Sequence, residues 1–301
     1  MHIVLLGKNG QVGWELQRAL APLGRVTALD RHAVEYCGDL SRPVELARTL
    51  RALRPDVIVN AAAYTAVDKA QAEPELATQI NATSVAVLAK EAEALKAWLV
   101  HYSTDYVFNG SGSIPWQEQD PTAPLNHYGA SKLAGEQAIA QYCSRYLIFR
   151  TSWVYAARGN NFAKTMLRLG NERTELNVIS DQIGAPTGAE LIADVTAHTL
   201  RQTMQQPALA GLYHLAAKGE TSWHDYAVLV FEQARRVGVP LALTQLVPIL
   251  TTAWPTPAAR PLNSRLNCNK LEAAFGLTLP PWQHGVKHTL TDILEQAIEQ
   301  A

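Results

Sequence analysis

The chain has 301 residues, 48% of them hydrophobic and 18% charged, with a formal net charge of −1. This length supports a large core, and the near-neutral charge gives no electrostatic reason to expect a nucleic acid or an anionic membrane as a partner. Three cysteines without metal-ligand spacing, no secretory leader pattern and no membrane-length apolar run together predict a cytoplasmic protein with reduced thiols.

The first predicted elements form a turn that suits a dinucleotide. Residues 3–6 are a short apolar run typical of a buried parallel strand, and glycines at 7, 10 and 13 lead into a helix with one apolar face. Glycines let the backbone approach a pyrophosphate, and the free N–H groups at a helix start bind the anion. The spacing is not the common G-x-G-x-x-G, and a tight turn without a ligand is the alternative.

A second strand over residues 25–30 ends in Asp30, at the distance where such folds contact the adenosine ribose. A strand-end cap is the alternative for this residue. Strands and helices continue to alternate, which predicts an α/β fold, a Rossmann-like doubly wound parallel sheet. The further predicted elements are a helix over 44–50, a strand over 57–59, a helix near 77–96 and strands over 98–102 and 146–149.

We predict two domains. Residues 1–150 form the dinucleotide-binding domain, and residues 151–301 form mainly a smaller substrate-binding domain, because loops interrupt the regular alternation there. A helix from about residue 191 and a strand over 212–215 predict that segments near 190–217 return to the first domain. The C-terminal domain is therefore partly interleaved with it.

The stretch Tyr-Gly-Ala-Ser-Lys at 128–132 carries the clearest chemistry. On a helix, Tyr128 and Lys132 lie on one face, one turn apart, and a nearby ammonium favours the phenolate, so we expect Tyr128 to exchange a proton near neutral pH. Thr104 follows a strand, and we expect its hydroxyl to meet Tyr128 at the carboxyl edge of the sheet and polarise a carbonyl oxygen. The alternative for Tyr128 and Lys132 is a chance spacing on a surface helix. The alternative for Thr104 is a helix cap.

Several longer stretches resemble the extended short-chain dehydrogenase/reductase family, and within it the reductases of dTDP-linked 4-keto sugars. The resemblance covers nearly the whole chain. It implies reduction of dTDP-4-dehydro-L-rhamnose at C4 to dTDP-L-rhamnose, with NADPH or NADH as the cofactor and a nucleotide sugar as the partner. The stretches are residues 7–13, 60–68, 102–108, 150–155, 181–187 and 260–266.

The resemblance also implies a role for individual residues. Tyr128 is the implied proton donor, Lys132 holds the nicotinamide ribose and keeps the phenol acidic, and Thr104 tunes the same oxygen. Implied substrate contacts are Thr104, Asp105 and Trp153. Implied cofactor contacts are Gly7, Gly10, Gln11, Val12, Asp30, Asp39, Leu40, Ala63, Tyr64, Thr65 and Lys132.

The cofactor preference is open at this point. Asp30 suits the free ribose of NADH. Lys8 and Arg31 could instead meet the 2′-phosphate of NADPH. We therefore expect both cofactors to work.

A homodimer with Mg²⁺ at its contact is a further implication of the resemblance, with Glu15, Glu190 and Asp292 as ligands. An outward Trp14 indicates a buried partner surface. The family position of Asp292 usually holds a longer acid, and a bridging water could make up the reach. For Glu15 the alternative is an ordinary carboxylate near a helix start, where the macrodipole favours it.

Two other functions stay open from the sequence. An epimerase or another sugar-nucleotide reductase of the same family would share the glycine turn, Tyr128 and Lys132, and would differ in the loops after residue 150. A non-catalytic regulatory subunit with the same fold would bind the cofactor without catalysis. The presence of Thr104, Tyr128 and Lys132 together argues against the subunit.

Overall fold

The computed structural model describes residues 1–299, and it describes side chains as far as residue 295. In its first half, strands and helices alternate. The elements in chain order are β1 (His2–Leu6), α1 (Gln11–Leu20), β2 (Arg25–Leu29), α2 (Pro43–Leu53), β3 (Val57–Asn60), α3 (Val67–Ala72), α4 (Pro74–Thr78), α5 (Ser84–Leu95), β4 (Trp98–Thr104), α6 (His127–Tyr142) and β5 (Tyr146–Thr151).

In the second half, most strands are short and the helices are separated by loops. The elements are β6 (Val154–Tyr155), α7 (Phe162–Glu172), β7 (Glu175–Ile179), β8 (Ile183–Gly184), β9 (Thr187–Gly188), α8 (Ala189–Gln205), β10 (Gly211–His214), β11 (Thr221–Ser222), α9 (Trp223–Arg236), β12 (Gln245–Ile249), α10 (Asn269–Phe275) and α11 (Trp282–Glu299).

One six-stranded parallel sheet, in the order β10-β5-β4-β3-β1-β2, forms the centre of the molecule. All residues of β1, β3 and β4 are buried, as expected for parallel strands covered on both faces. The predicted α/β fold with a doubly wound sheet is therefore confirmed. β2 pairs with one side of β1 and β3 with the other, so the strand order reverses there and the crevice for a ligand lies at the carboxyl ends of β1 and β3.

Helices bury apolar side chains against both faces of this sheet. One core includes Leu16 of α1 and Ile192 of α8, and the opposite core includes Leu46 of α2 and Leu88 of α5. A third core lies between α7, α9 and α11. The edge strand β10 and the helix α8 come from the second half of the chain. The boundary at residue 150 stays a prediction.

The helix predicted near residues 77–96 is present, but it contains a π-helical turn. A π-helical turn over Gln79–Thr83 separates α4 from α5. This turn directs Asn81 toward the loop after β3, where its Oδ1 accepts from the Tyr64 N–H at 2.8 Å and its Nδ2 donates to the Tyr64 carbonyl at 3.0 Å. Tertiary hydrogen bonds thus offset the loss of regular helix geometry, and π-turns of this kind often mark functional sites.

Thr104 belongs to a strand, since β4 runs two residues beyond the predicted Tyr102. Among the described residues, no helix is both long enough and apolar enough to cross a membrane.

Candidate active site

The turn between β1 and α1 forms a cradle at the crevice. Gly7 has φ +87°, and a Cβ on it would lie 2.7 Å from the Ala62 nitrogen; a Cβ on Gly13 would lie 2.1 Å from the Gly7 carbonyl oxygen. Only glycine fits both positions. The cap residue of α1 is Gly10, which has no side chain to bind the N–H groups of the first turn, the turn that holds Gln11 and Val12. The cradle therefore fits the pyrophosphate of a dinucleotide.

Asp30 follows β2 at the edge of this cradle. Its carboxylate accepts from the His32 N–H at 2.8 Å and from Asn9 Nδ2 at 2.6 Å, and Lys8 Nζ lies 3.7 Å away. These contacts, the His32 backbone N–H foremost, lower the pKa of Asp30, so it is ionised at neutral pH. An anion that suits ribose hydroxyls and a cation that suits phosphate thus lie side by side. Arg31 turns toward the His32 ring, with 3.0 Å from Nε to Nε2.

Two loops complete the predicted cofactor site. The loop of Asp39 and Leu40 packs closely against Asp30. A Cβ on the preceding Gly38 would lie only 2.6 Å from the Asp30 carbonyl oxygen. The Leu40 carbonyl also accepts from the Ser84 hydroxyl. The loop of Ala63, Tyr64 and Thr65 follows β3 and is held by Asn81 as described above.

Helix α6 packs unusually closely on the rest of the site. A Cβ on Gly129 would lie 2.2 Å from the Tyr106 carbonyl oxygen, and one on Gly135 would lie 2.3 Å from that of Asn81. The helix starts at a defined residue because Asn126 Oδ1 accepts from the Gly129 N–H at 2.8 Å. This packing places Tyr128 and Lys132 at the carboxyl end of β4.

Lys132 is buried, and its amine has polar partners on β4. Nζ donates to the Tyr102 carbonyl at 2.5 Å and lies 3.2 Å from His101 Nε2. Burial lowers the pKa of Lys132 to about 8, and the charge of Glu136 opposes that shift. Glu136 is itself paired with Arg150 at 2.7 Å inside the protein.

Tyr128 is flanked by Thr104, as predicted, but its acidity differs from the expectation. Burial raises the pKa of Tyr128 to about 12, hydrogen bonding with Thr104 lowers it, and the charge of Asp105 raises it. The expectation that Lys132 keeps the phenol acidic is wrong in this structure, because the amine is turned toward Tyr102 and His101. Tyr128 is therefore a protonated phenol at neutral pH.

Asp105 is the most unusual carboxyl group of the site. Its Oδ1 accepts from the Thr104 hydroxyl at 3.1 Å. Its Oδ2 is buried without a hydrogen-bond partner in the part of the chain that the structure describes. Burial raises the pKa of Asp105 to about 7, while the hydroxyls of Ser264 and Thr104 lower it. An unpaired buried oxygen of this kind fits a hydroxyl group of a ligand.

Trp153 has a strained backbone and an aromatic support. Its φ is +49°, in the left-handed region that costs a non-glycine residue about 1–2 kcal/mol. Trp223 stacks on its indole with centroids 3.6 Å apart and planes at 12°. Gly184 packs against the same ring, since a Cβ there would lie 2.8 Å from Trp153 Cε2. Strain held by packing is typical of a residue with a binding role.

Of the predicted Mg²⁺ ligands, the structure brings two together. Burial, and next the charge of Glu190 on α8, raises the pKa of Glu15 on α1. Asp292 lies half-buried on α11. Within residues 1–299, no group of three His, Cys, Asp or Glu side chains could hold a metal ion in one chain.

Three buried polar residues of the site were missed by the sequence analysis. Asn60 and His101 interrupt apolar runs in fully buried strands, and that interruption is the signal that could have found them. Asn81 gives no such signal, because it lies in a stretch with an ordinary helical pattern.

We expect Asp105→Asn to stabilise the protein above neutral pH. The pKa of Asp105 is about 7 in the folded chain, against about 3.9 for an unfolded aspartate. The folded chain thus binds the proton more tightly, and its stability falls as the pH rises from about 4 to 7. In thermal unfolding, the variant should gain about 1 kcal/mol or more over the wild type at pH 8 relative to pH 5.

The exposed Asp225→Asn is the matched control for this experiment and should show no such pH-dependent gain. Equal effects of Asp105→Asn at pH 5 and pH 8 would contradict the raised pKa.

Comparisons with known proteins agree with this geometry. The family model described as RmlD substrate binding domain matches residues 1–295. The dTDP-4-dehydrorhamnose reductase of Escherichia coli K12 is 63% identical over 293 residues, which cover 97% of this chain and 98% of that protein. The crystal structure of a dTDP-4-dehydrorhamnose reductase from Clostridium acetobutylicum, 34% identical, matches with a TM-score of 0.88 over 98% of this chain and 100% of that one. The crystal structure of the dTDP-4-dehydrorhamnose reductase from Bacillus anthracis in complex with NADP is also 34% identical. It matches with a TM-score of 0.86 over 97% of this chain and 99% of that one. The chain therefore belongs to the RmlD family of dTDP-4-dehydrorhamnose reductases.

Proposed function

We propose that the protein is an NAD(P)H-dependent oxidoreductase that reduces dTDP-4-dehydro-L-rhamnose at C4 to dTDP-L-rhamnose. The observation that carries this proposal is the gathering of Thr104, Asp105, Tyr128 and Lys132 at the carboxyl end of β4, beside a glycine cradle that fits a pyrophosphate. The names of the curated relatives support the substrate, and a relative crystallised with NADP supports the cofactor.

Proton transfer is the part of the reaction that the chain's own residues perform. A bound nicotinamide cofactor supplies the hydride for C4 of the sugar. Tyr128 donates its phenol proton to the oxygen at C4, and Thr104 hydrogen-bonds the same oxygen. The pKa of about 12 keeps Tyr128 protonated, as a general acid requires. Lys132, whose amine lies at the carboxyl end of β4, would hold the nicotinamide ribose.

Asp105 and Trp153 are the proposed substrate contacts. The unpaired Oδ2 of Asp105 would accept a hydroxyl of the sugar, which removes the cost of an unsatisfied buried oxygen. The partly exposed indole of Trp153, fixed by its stack on Trp223, would offer an apolar face to the ligand.

We expect Tyr128→Phe to lower turnover by about a hundred- to ten-thousand-fold while NADPH affinity stays nearly unchanged. The substitution removes the proton donor and leaves the cradle intact. Steady-state assays with dTDP-4-dehydro-L-rhamnose and fluorescence titration with NADPH measure the two quantities. Tyr142→Phe, at the far end of the same helix, is the matched control. Near-normal turnover of the Tyr128 variant would refute the proton-donor role.

We expect Asp30→Ala to weaken NADH binding more than NADPH binding. The carboxylate accepts from the free 2′-hydroxyl that only NADH offers, whereas Lys8, 3.7 Å from Asp30, favours the 2′-phosphate of NADPH. Titration of one variant with both cofactors gives the ratio of dissociation constants and serves as its own control. An unchanged ratio would remove Asp30 from the ribose site.

We further propose a cytoplasmic homodimer that binds Mg²⁺ through Glu15, Glu190 and Asp292. Three free cysteines support a reducing compartment. Burial and then the charge of Glu190 raise the pKa of Glu15, and a cation beside the two carboxylates would relieve this repulsion. One chain alone does not supply a three-residue site among its described residues, so a second copy would have to complete it. The half-exposed Trp14, covered on one face by Arg158, lies on the same helix.

EDTA should therefore shift the protein toward monomer in sedimentation, and added Mg²⁺ should reverse the shift. Glu15→Gln should weaken the dimer and make it insensitive to the chelator, because it removes a carboxylate ligand. A wild-type dimer indifferent to EDTA, or a monomer in millimolar Mg²⁺, would leave these three residues without a metal-binding role.

A further inference from the structure

A buried polar chain runs from the loop after β3 to the amine of Lys132. The Ala62 N–H donates to Asn60 Oδ1 at 3.2 Å, Asn60 Nδ2 lies 3.1 Å from His101 Nδ1, and His101 Nε2 lies 3.2 Å from Lys132 Nζ. The exposed fractions of Asn60, His101 and Lys132 are 1%, 1% and 2%. Because water does not reach them, each of these polar groups depends on the next one for its hydrogen bond.

The direction of these hydrogen bonds fixes the tautomer of His101. Because the Ala62 N–H occupies the amide oxygen of Asn60, the amide turns its NH₂ group toward the imidazole, and Nδ1 must accept. A neutral imidazole carries one N–H, which then lies on Nε2 and points at Lys132. Burial and the charge of Lys132 hold the pKa of His101 well below its ordinary value, so the ring is neutral.

An N–H that faces Nζ distinguishes the two forms of the lysine. It donates to the lone pair of a neutral amine and opposes an ammonium. The Tyr102 carbonyl accepts from Nζ in either form. The other titratable and charged groups around the amine are Glu136 one turn along α6, its partner Arg150 on β5 and Tyr128 on the same face of α6.

We propose that His101 is a positioning residue for Lys132, and that the tautomer imposed by Asn60 lets it set the balance between amine and ammonium. His101 Nε2 and the Tyr102 carbonyl are the two polar partners of Nζ. It acts through Lys132 and has no contact with the reacting atoms. The inference rests on the proposed function, in which Lys132 holds the nicotinamide ribose.

Two substitutions of His101 separate its two hydrogen bonds. In His101→Asn the shorter amide replaces Nδ1, so the bond to Asn60 is kept and the bond to Lys132 is lost. In His101→Gln the longer amide replaces Nε2 and can turn its oxygen toward the lysine, which favours the ammonium. A third variant, Asn60→Asp, places an acceptor opposite Nδ1, moves the imidazole proton to Nδ1 and lets Nε2 accept from the ammonium.

The pH dependence of kcat/KM is the first readout. The pKa of Lys132 of about 8 predicts a basic limb near that pH in the wild type. A hydrogen bond to a charged group is stronger than one between neutral groups, so we expect His101→Gln and Asn60→Asp to move this limb upward by about one pH unit or more. His101→Asn removes the N–H that opposes the ammonium but adds no acceptor, so its limb should move upward by less than that of His101→Gln.

The same shift should occur in the pH dependence of NADPH binding, which reports Lys132 without any sugar substrate. In ¹⁵N NMR of the wild type, the His101 imidazole, assigned from the signal lost in His101→Asn, should show a protonated Nε2 and an unprotonated Nδ1. This spectrum tests the tautomer directly.

A basic limb that stays in place in all three variants while kcat falls evenly at every pH would overturn the proposal, and so would a protonated Nδ1 in the wild type. Failure of the wild type to reduce dTDP-4-dehydro-L-rhamnose would refute the proposed function instead. The NADPH titration and the NMR spectrum would still decide the role of His101.

Discussion

Close packing of α6 against the carboxyl end of β4 is the constraint on which the site depends. Gly129 and Gly135 lack the Cβ atoms that would collide with the carbonyl oxygens of Tyr106 and Asn81, so α6 lies nearer to the turn after β4 and to the π-turn than larger residues would permit. At this distance Lys132 reaches the Tyr102 carbonyl and Tyr128 meets Thr104. The chemistry of the site is therefore a consequence of backbone approach as well as of the side chains that carry it.

The buried ionisable groups of the site have two different kinds of partner. Arg150 and Glu136 form a bidentate buried pair, in which each ion compensates the desolvation of the other. Among the residues that the structure describes, Lys132 has no carboxylate in direct contact; its partners are a carbonyl and an imidazole. An amine in such surroundings changes its protonation state nearer to neutral pH than an exposed lysine does.

The parts of the fold that depend on local sequence were predicted well. The strand β1, the glycine turn and the position of Asp30 follow from periodicity and spacing within about thirty residues. Contacts between distant residues were not predictable in this way. The bonds of Asn81 to Tyr64 accompany a π-turn within a helix that the local pattern predicts as regular.

The acidity of Tyr128 was predicted wrongly because it, too, depends on contacts between residues that are distant in the chain. The spacing of residues 128 and 132 places both side chains on one face but does not show where the lysine amine points. That direction is set by Tyr102 and His101, which come from another element of the fold. The left-handed backbone of Trp153 likewise has no signal in its local sequence, because residues distant in the chain hold it in place.

The π-turn over residues 79–83 has a consequence for how sequences of this kind can vary in length. A π-turn accommodates one residue more than an α-helical turn, so removing one residue there would restore a regular helix at little cost to its own hydrogen bonds. The same deletion would rotate Asn81 by about 100° relative to α5 and withdraw its amide from Tyr64. The number of residues in this helix is thus fixed by the contact between Asn81 and the loop of Tyr64. Insertions or deletions that keep this contact are confined to segments outside the helix.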